Sequence, residues 1–260
     1  MGFNNMRLSK GERRERILSR LNSDVTVRIS SLAAQFGVTT ETIRRDIDEL
    51  TEQGLVIRTY GGAASRSLTA EPNLGQRREH NVAERKRVAQ LAVSLVDPGD
   101  VLMVDSGSTT YQFARALAAQ QTALTVLTNC LLIAQNLGGI TGFHVMLCPG
   151  VYSETENAVY GQETTAFLDR FYANKAVIGA GGITENNVTD ADANAGWIKR
   201  KMIERSERSI LLIDHSKFDN RLFDNVCPLA DIGDLVADRM PPEPITRALD
   251  AAPVRIHIAG

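Results

Sequence analysis

The chain has 260 residues, 43% apolar and 23% charged, with a net charge of −2, which allows a sizeable core in one or two domains and excludes a disordered chain or a bulk polycation. No apolar run approaches the roughly 20 residues of a membrane helix and no apolar secretory segment opens the chain, so a soluble cytoplasmic protein is expected. Three sparse cysteines, Cys130, Cys148 and Cys227, supply neither a disulfide framework nor a Cys-x-x-Cys metal pair, and no cofactor is expected.

Charge is unevenly spread. Residues 1–88 hold 16 Lys/Arg against 11 Asp/Glu, a net of +5, whereas residues 89–260 carry a net of −7. A basic front suggests an anion-binding module; a modest excess of this size also arises by chance.

Residues 10–21, KGERRERILSRL, set Ile17, Leu18 and Leu21 on one helical face. In SSLAAQFGV, Leu32, Ala33 and Phe36 repeat at helical spacing, Ser30 or Ser31 can cap the start, and Gly37 stops the helix in a left-handed conformation. Thr39 caps a third helix whose core face is Ile43, Ile47 and Leu50, and Gly54 ends it. LVIRTYGGA reads as a short strand entering a Gly-Gly turn.

Two helices joined by a tight Gly-Val turn form a helix-turn-helix candidate, whose second helix would enter the major groove. Thr39, Thr40, Thr42, Arg44 and Arg45 lie at its start, where hydroxyls and guanidinium forks suit phosphates and base edges. The plainer alternative is a helical hairpin with a solvated Arg pair. Arg58 and Tyr60, beside Gly61 and Gly62, add the look of a wing that touches the neighbouring backbone.

The run SSLAAQFGVTTETIRRDIDELTEQGLVIRTYGGA closely resembles the winged-helix signature of DeoR-family bacterial regulators. The resemblance extends almost to the C-terminus. It implies an α/β protein: an N-terminal winged helix-turn-helix domain, then a mainly parallel α/β effector domain like the sugar-phosphate isomerases. The boundaries read from the sequence are 1–62 for the DNA-binding domain, 63–76 for a small, polar linker, and 77–260 for effector binding and oligomerisation.

After the linker, residues 77–96 read as one helix with Val88, Leu91, Ala92 and Leu95 on its apolar face, stopped by Asp97, Pro98 and Gly99. Strand and helix patterns then alternate: DVLMVD, STTYQFARALAAQ, ALTVLTN, CLLIAQNL, FHVMLCPG, ETTAFLDRF, KAVIGAGGI, AGWIKRKMIERS and SILLIDH. That order argues for a parallel sheet, with ligands bound beyond the C-terminal strand ends.

Polar clusters fall at those ends. DSGSTT, residues 105–110, follows a strand and opens a helix, a geometry that holds phosphate on free N–H groups; a plain Ser/Thr-capped helix start would look the same. Thr128 and Asn129 end another strand and alone are turn chemistry. DHSKF, residues 214–218, ends a third, and Lys217 there is either a point charge for phosphate or a surface lysine. The family resemblance implies that Ser106, Gly107, Ser108, Thr109, Thr110, Asn129 and Lys217 line a phosphorylated-sugar site. Asp105 joins them as a neighbour, Gly181 as a wall of the glycine run 179–182, and Asp192 as a pocket carboxylate; close backbone packing explains the glycines equally well.

Some positions depart from the family pattern. Ala195 stands where an acid is expected, with Asn194 before it; Asn174 replaces a common aspartate; Pro149 and Gly150 replace a Gly pair. Glu154, Tyr160, Asp192 and Trp197 are therefore candidates to shape an unusual pocket, or else solvated loop residues and, for Trp197, core packing.

Two functions compete. One is a homo-oligomeric transcriptional regulator, most simply a repressor of a carbohydrate catabolic operon, released from operator DNA by a phosphorylated sugar or sugar alcohol. The other is a sugar-phosphate isomerase with an accessory DNA-binding domain. Isomerisation needs a placed base, yet His80, His144 and His257 lie in no recognisable constellation and His215 sits within the binding motif. Asp105 and Asp192 remain possible bases. A storage or transport protein would leave TIRRD and the wing unexplained.

Overall fold

Amphipathic helices and a small antiparallel sheet build the first of two units, Met1–Ala70 and Glu71–Gly260, in the computed structural model. The described residues are 8–23, 26–59, 61–65, 71–120 and 123–260. The first unit runs α1 (Lys10–Ser23), β1 (Thr26–Arg28), α2 (Ile29–Phe36), α3 (Thr40–Glu52), β2 (Val56–Thr59) and β3 (Gly62–Ser65). Ile17, Leu21, Leu32, Ala33, Ile43, Ile47 and Leu50 are buried together, with Leu18 and Phe36 packed at the margin. This is the apolar periodicity of the sequence turned into a core.

Gly37 adopts φ 63° and its N–H reaches Ala33 O, giving the tight turn between α2 and α3. The start of α2 differs from expectation. Arg28, in extended conformation, precedes the helix without any side-chain cap, and Ser30 and Ser31 fall inside the first turn. The reason is β1: Thr26–Arg28 pairs antiparallel with β3, so the sheet, in order β1-β3-β2, delivers the chain directly into the helix. Gly62 sits against that pairing, where a Cβ would fall 2.0 Å from Val27 O. The wing strand β3 thus extends to Ser65, into the stretch read as linker.

The second unit begins with α4 (Leu74–Arg77), also within the expected linker, followed by α5 (Val82–Val93). The single helix expected over 77–96 is broken because Asn81 takes a left-handed conformation, φ 49°, between them. Next come β4 (Val101–Val104), α6 (Ser108–Leu117), β5 (Leu124–Thr128), α7 (Leu131–Leu137) and β6 (Phe143–Leu147). A hairpin, β7 (Val151–Ser153) and β8 (Ala158–Tyr160), leads to α8 (Gln162–Leu168) and β9 (Ala173–Ile178). Then follow β10 (Gly182–Ile183), β11 (Asn187–Asp190), α9 (Ala193–Glu204), β12 (Ser206–Ile213), β13 (Asp224–Pro228), β14 (Asp234–Ala237), α10 (Glu243–Ala251) and β15 (Arg255–Ile258).

Seven strands form one parallel sheet in the order β15-β14-β12-β9-β4-β5-β6. Alternate residues face opposite ways. Leu102, Val104, Val126, Val177, Ile210 and Leu212 bury against α5, α6 and α7; Met103, Leu127, Ala176, Ile178, Leu211 and Ile213 bury against α8, α9 and α10. Both faces are covered, which explains the nearly continuous apolar strands in the sequence. From β4 the chain winds outward through β5 and β6, then returns to β9 and winds the other way. The order therefore reverses between β4 and β9, and the region beyond their C-terminal ends is the crevice position at which such sheets bind ligands. The small antiparallel sheet β10-β11-β13 was not legible as strands. Among the described residues no helix is long and apolar enough to cross a membrane.

Candidate DNA interface and effector site

On the first unit, Thr39 caps α3: its Oγ1 accepts from Thr42 N at 3.2 Å and lies 2.9 Å from Thr42 Oγ1. Thr40, Arg44 and Arg45 are exposed on the same N-terminal half. Both arginines lean on Glu41, with Arg45 Nε 3.3 Å and Arg44 Nη1 3.7 Å from its carboxylate. Such exposed pairs are weak and exchange readily for a phosphate or a base edge. Arg58 on β2 pairs with Asp48 of α3. Tyr60 lies outside the described residues.

Asp46 of the TIRRD run has a different job. It is 1% exposed and receives the Arg13 guanidinium, whose Nη2 donates to Oδ1 at 3.0 Å while Nε takes Oδ2. This buried fork ties α1 to α3 and fixes the angle at which α3 is presented.

On the second unit, Asp105 follows β4 and Gly179 follows β9, at the position where the strand order reverses. Gly179 N donates to Asp105 Oδ1 at 3.1 Å, and Asp105 N donates to Val177 O at 3.1 Å. Gly107 leads into α6 and no side chain caps that helix, so the first-turn N–H groups and the positive helix end face the crevice. Ser106, Ser108 and Thr109 are buried around it. Thr110 turns inward, its hydroxyl donating to Gly107 O at 3.1 Å. Asn129, at the end of β5, donates through Nδ2 to Val159 O at 3.2 Å. Its Oδ1 is buried with no partner, which leaves an acceptor for a ligand hydroxyl.

Lys217 ends a short 3-10 turn, His215–Lys217, capped by Asp214. That turn is anchored. Asp214 is fully buried and takes Arg85 Nε at 2.7 Å and Asn81 Nδ2 at 3.0 Å, while His215 Nδ1 lies 2.8 Å from Asp238 Oδ2. Burial works to raise the Asp214 carboxyl, but Arg85, Ser216 and Lys217 outweigh it and hold it down at about 2. The ammonium of Lys217 meets Glu71 Oε1 at 2.6 Å. Arg77 also reaches Glu71, at 3.4 Å, and grips Glu156 with both nitrogens.

Two expected site residues make structural contacts. Gly181 is spent on packing: its N–H donates to Thr189 O, its carbonyl accepts from Asn220, and a Cβ would strike Leu222 at 2.3 Å. Asp192 caps α9 through Asn194 N at 2.8 Å. Tyr160 does reach the crevice, with its hydroxyl 3.1 Å from Ser106 Oγ; burial, only partly offset by Ser106 and Lys199, pushes its phenol up. Trp197 is 62% exposed, stacked under Arg200 at 4.5 Å, so it is not core. Glu154 is exposed on the turn of the β7–β8 hairpin.

The sequence reading missed Lys199. Its ammonium is buried on α9 and lies 2.7 Å from Asp105 and 3.2 Å from Asp190. Burial opposes its charge, yet Asp105 and Asp190 outweigh that and hold it protonated, well above an ordinary lysine. Burial in turn pushes Asp105 up to about 6 against the pull of Lys199. The signal was in the helix period: Ala195, Ile198 and Met202 define the buried face of α9, and position 199 falls on it. Glu71 and Arg77 were missed because they lie in or beside the stretch read as linker.

Residues 13–69 match the DeoR-like helix-turn-helix domain, and residues 80–239 match the DeoR C terminal sensor domain. The chain belongs to the DeoR family. It is 33% identical over 233 residues to the L-fucose operon activator of Haemophilus influenzae, covering 89% of this chain and 93% of that one. It is 27% identical to the glycerol-3-phosphate regulon repressor of Escherichia coli over 96% of this chain and all of the relative. A looser likeness, with TM-score 0.40 and 18% identity over 53% of this chain and 54% of the other, is to ribose 5-phosphate isomerase A from Methanocaldococcus jannaschii. DeoR-type proteins are DNA-binding transcriptional regulators and not enzymes, so the isomerase alternative is set aside for this DeoR-family chain.

Proposed function

We propose that this DeoR-family regulator represses a carbohydrate catabolic operon and releases its operator when a phosphorylated sugar or sugar alcohol enters the crevice between β4 and β9. The observation that carries the reading is the uncapped start of α6 at the point where the strand order reverses, with Lys217 following β12, the neighbour of β9 in the same sheet. The phosphoryl group takes the N–H groups of residues 106–110 and Lys217. The carbohydrate hydroxyls meet Asn129 Oδ1, Asp105 and Lys199. Control of a glycerol-3-phosphate regulon by a relative supports a phosphorylated ligand.

The DNA-facing residues in this reading are Thr39, Thr40, Thr42, Arg44, Arg45 and Arg58, with Tyr60 beside them. A single winged helix reads few base pairs, so a homo-oligomer on a two-part operator is part of the proposal. The test is calorimetry with sugar phosphates and their unphosphorylated parents. Lys217→Ala should weaken the phosphorylated member at least tenfold, a loss of about 1.4 kcal/mol, and leave the feeble binding of the parent unchanged. Equal binding of parent and phosphate by both proteins would refute the phosphoryl site.

A further inference from the structure

Cations in the crevice are already matched by carboxylates. Lys199 sits between Asp105 and Asp190, Arg77 between Glu71 and Glu156, and Lys217 against Glu71. A phosphoryl dianion entering beside Lys217 must therefore expel a carboxylate or do without a free cation, held by the N–H groups of α6 alone. Asp105 and Asp190 are poor candidates to leave. They are 1% and 6% exposed and are held at the ends of β4 and β11. Glu71 differs in each respect. It lies in no helix or strand, it is partly exposed, and both of its oxygens are spent on ligand-site cations, Oε1 on Lys217 and Oε2 on Arg77. Those two pairings, with burial working against them, hold its carboxyl down at about 2, so it is fully ionised at neutral pH.

Glu71 is also the first residue of the effector unit, next in the chain to the DNA-binding unit. Just beyond it the chain is fixed. Leu74 is fully buried and its N–H donates to Thr155 O at 3.0 Å, and Arg77 is clamped to Glu156. Residues 71–73, in no helix or strand, therefore leave Glu71 room to move without disturbing the sheet.

We propose that Glu71 is a built-in stand-in anion: it occupies Lys217 and Arg77 in the ligand-free protein, and the ligand's phosphoryl group must displace it. This deepens, and rests on, the reading of Lys217 as a phosphoryl contact. Displacement sets the affinity for the ligand.

The sign of one substitution decides the matter. A residue that merely supports the site weakens binding when removed; a competitor strengthens it. Inorganic phosphate is titrated into the full chain at constant ionic strength, with Glu71→Gln, Glu71→Asp and Lys217→Ala alongside, folding being checked by circular dichroism. Glu71→Gln keeps the shape and loses the charge, and it should bind phosphate about tenfold more tightly than wild type, an ordinary coupling between competing ligands. Glu71→Asp, too short to hold Lys217 and Arg77 together, should fall between the two and serves if the Gln variant misfolds. Lys217→Ala should lose phosphate. Unchanged or weaker binding by both Glu71 variants, with binding lost in Lys217→Ala, overturns the stand-in while the phosphoryl site stands. Unchanged binding by Lys217→Ala overturns the phosphoryl site and the stand-in with it.

Discussion

Asp214 shows how one buried carboxylate organises the turn that carries the proposed ligand contact Lys217. Its partners are Arg85 and Asn81 on one side and the 3-10 turn bearing Lys217 on the other. With its carboxyl at about 2 instead of the ordinary 3.8, this group stabilises the fold fully above about pH 4, and the contribution fades as pH falls toward 2. Asp214→Asn should cost on the order of 2 kcal/mol at pH 7, the size expected for a carboxylate lowered this far. In denaturant titrations from pH 7 to 2, the gap to wild type should narrow below pH 4. A gap independent of pH would place the effect in packing instead. Asp105 acts with the opposite sign, because a carboxyl raised to about 6 costs the fold stability as pH rises from 4 through 6.

Helix α3 has the proposed recognition residues on one face and architecture on the other, and the TIRRD string holds both. Arg44 and Arg45 are exposed, whereas Asp46, next in sequence, is buried against Arg13. Replacing Arg44 or Arg45 by Ala should cost about 1–3 kcal/mol of operator affinity for a base contact. The assay compares operator with scrambled DNA at matched salt, since phosphate contacts alone give affinity without sequence preference. Asp46→Ala should instead destabilise the unit by about 3–5 kcal/mol, as expected when a buried cation loses its partner. Hydrogen exchange would read this as lost protection of α1 and α3 amides, with α5 through α10 unchanged; uniform loss would contradict it.

What the sequence revealed follows the same division. Apolar periods gave α1, α2 and α3, the sheet strands β4, β5, β6, β9 and β12 and the helices between them, because core faces leave a local imprint; β14, α10 and β15 were not read. Strands β1, β7, β8, β10, β11, β13, β14 and β15 were missed: most are only two to four residues long, and β1 and β13 are held by partners far along the chain. Asp105, Asn129 and Lys217 were legible as candidates because they follow buried strands. Lys199, Glu71 and Arg77 were missed because a buried ion pair needs its partner in view before either residue stands out.

The two units divide the labour of a switch, and the ligand acts only through unequal affinity for DNA-competent and DNA-incompetent states. The oligomer proposed above is checked by sedimentation at micromolar concentration, where a dimer or larger mass is expected and a strict monomer, with and without DNA, would count against it. The coupling itself is tested most directly by titrating phosphorylated sugars and polyols into the complex of full chain and operator, with wild type and Lys217→Ala compared. One phosphorylated member should weaken wild-type DNA affinity tenfold or more, about 1.4 kcal/mol of coupling, while Lys217→Ala stays on the operator. Release of both proteins alike, or release by the unphosphorylated parent, would contradict the account.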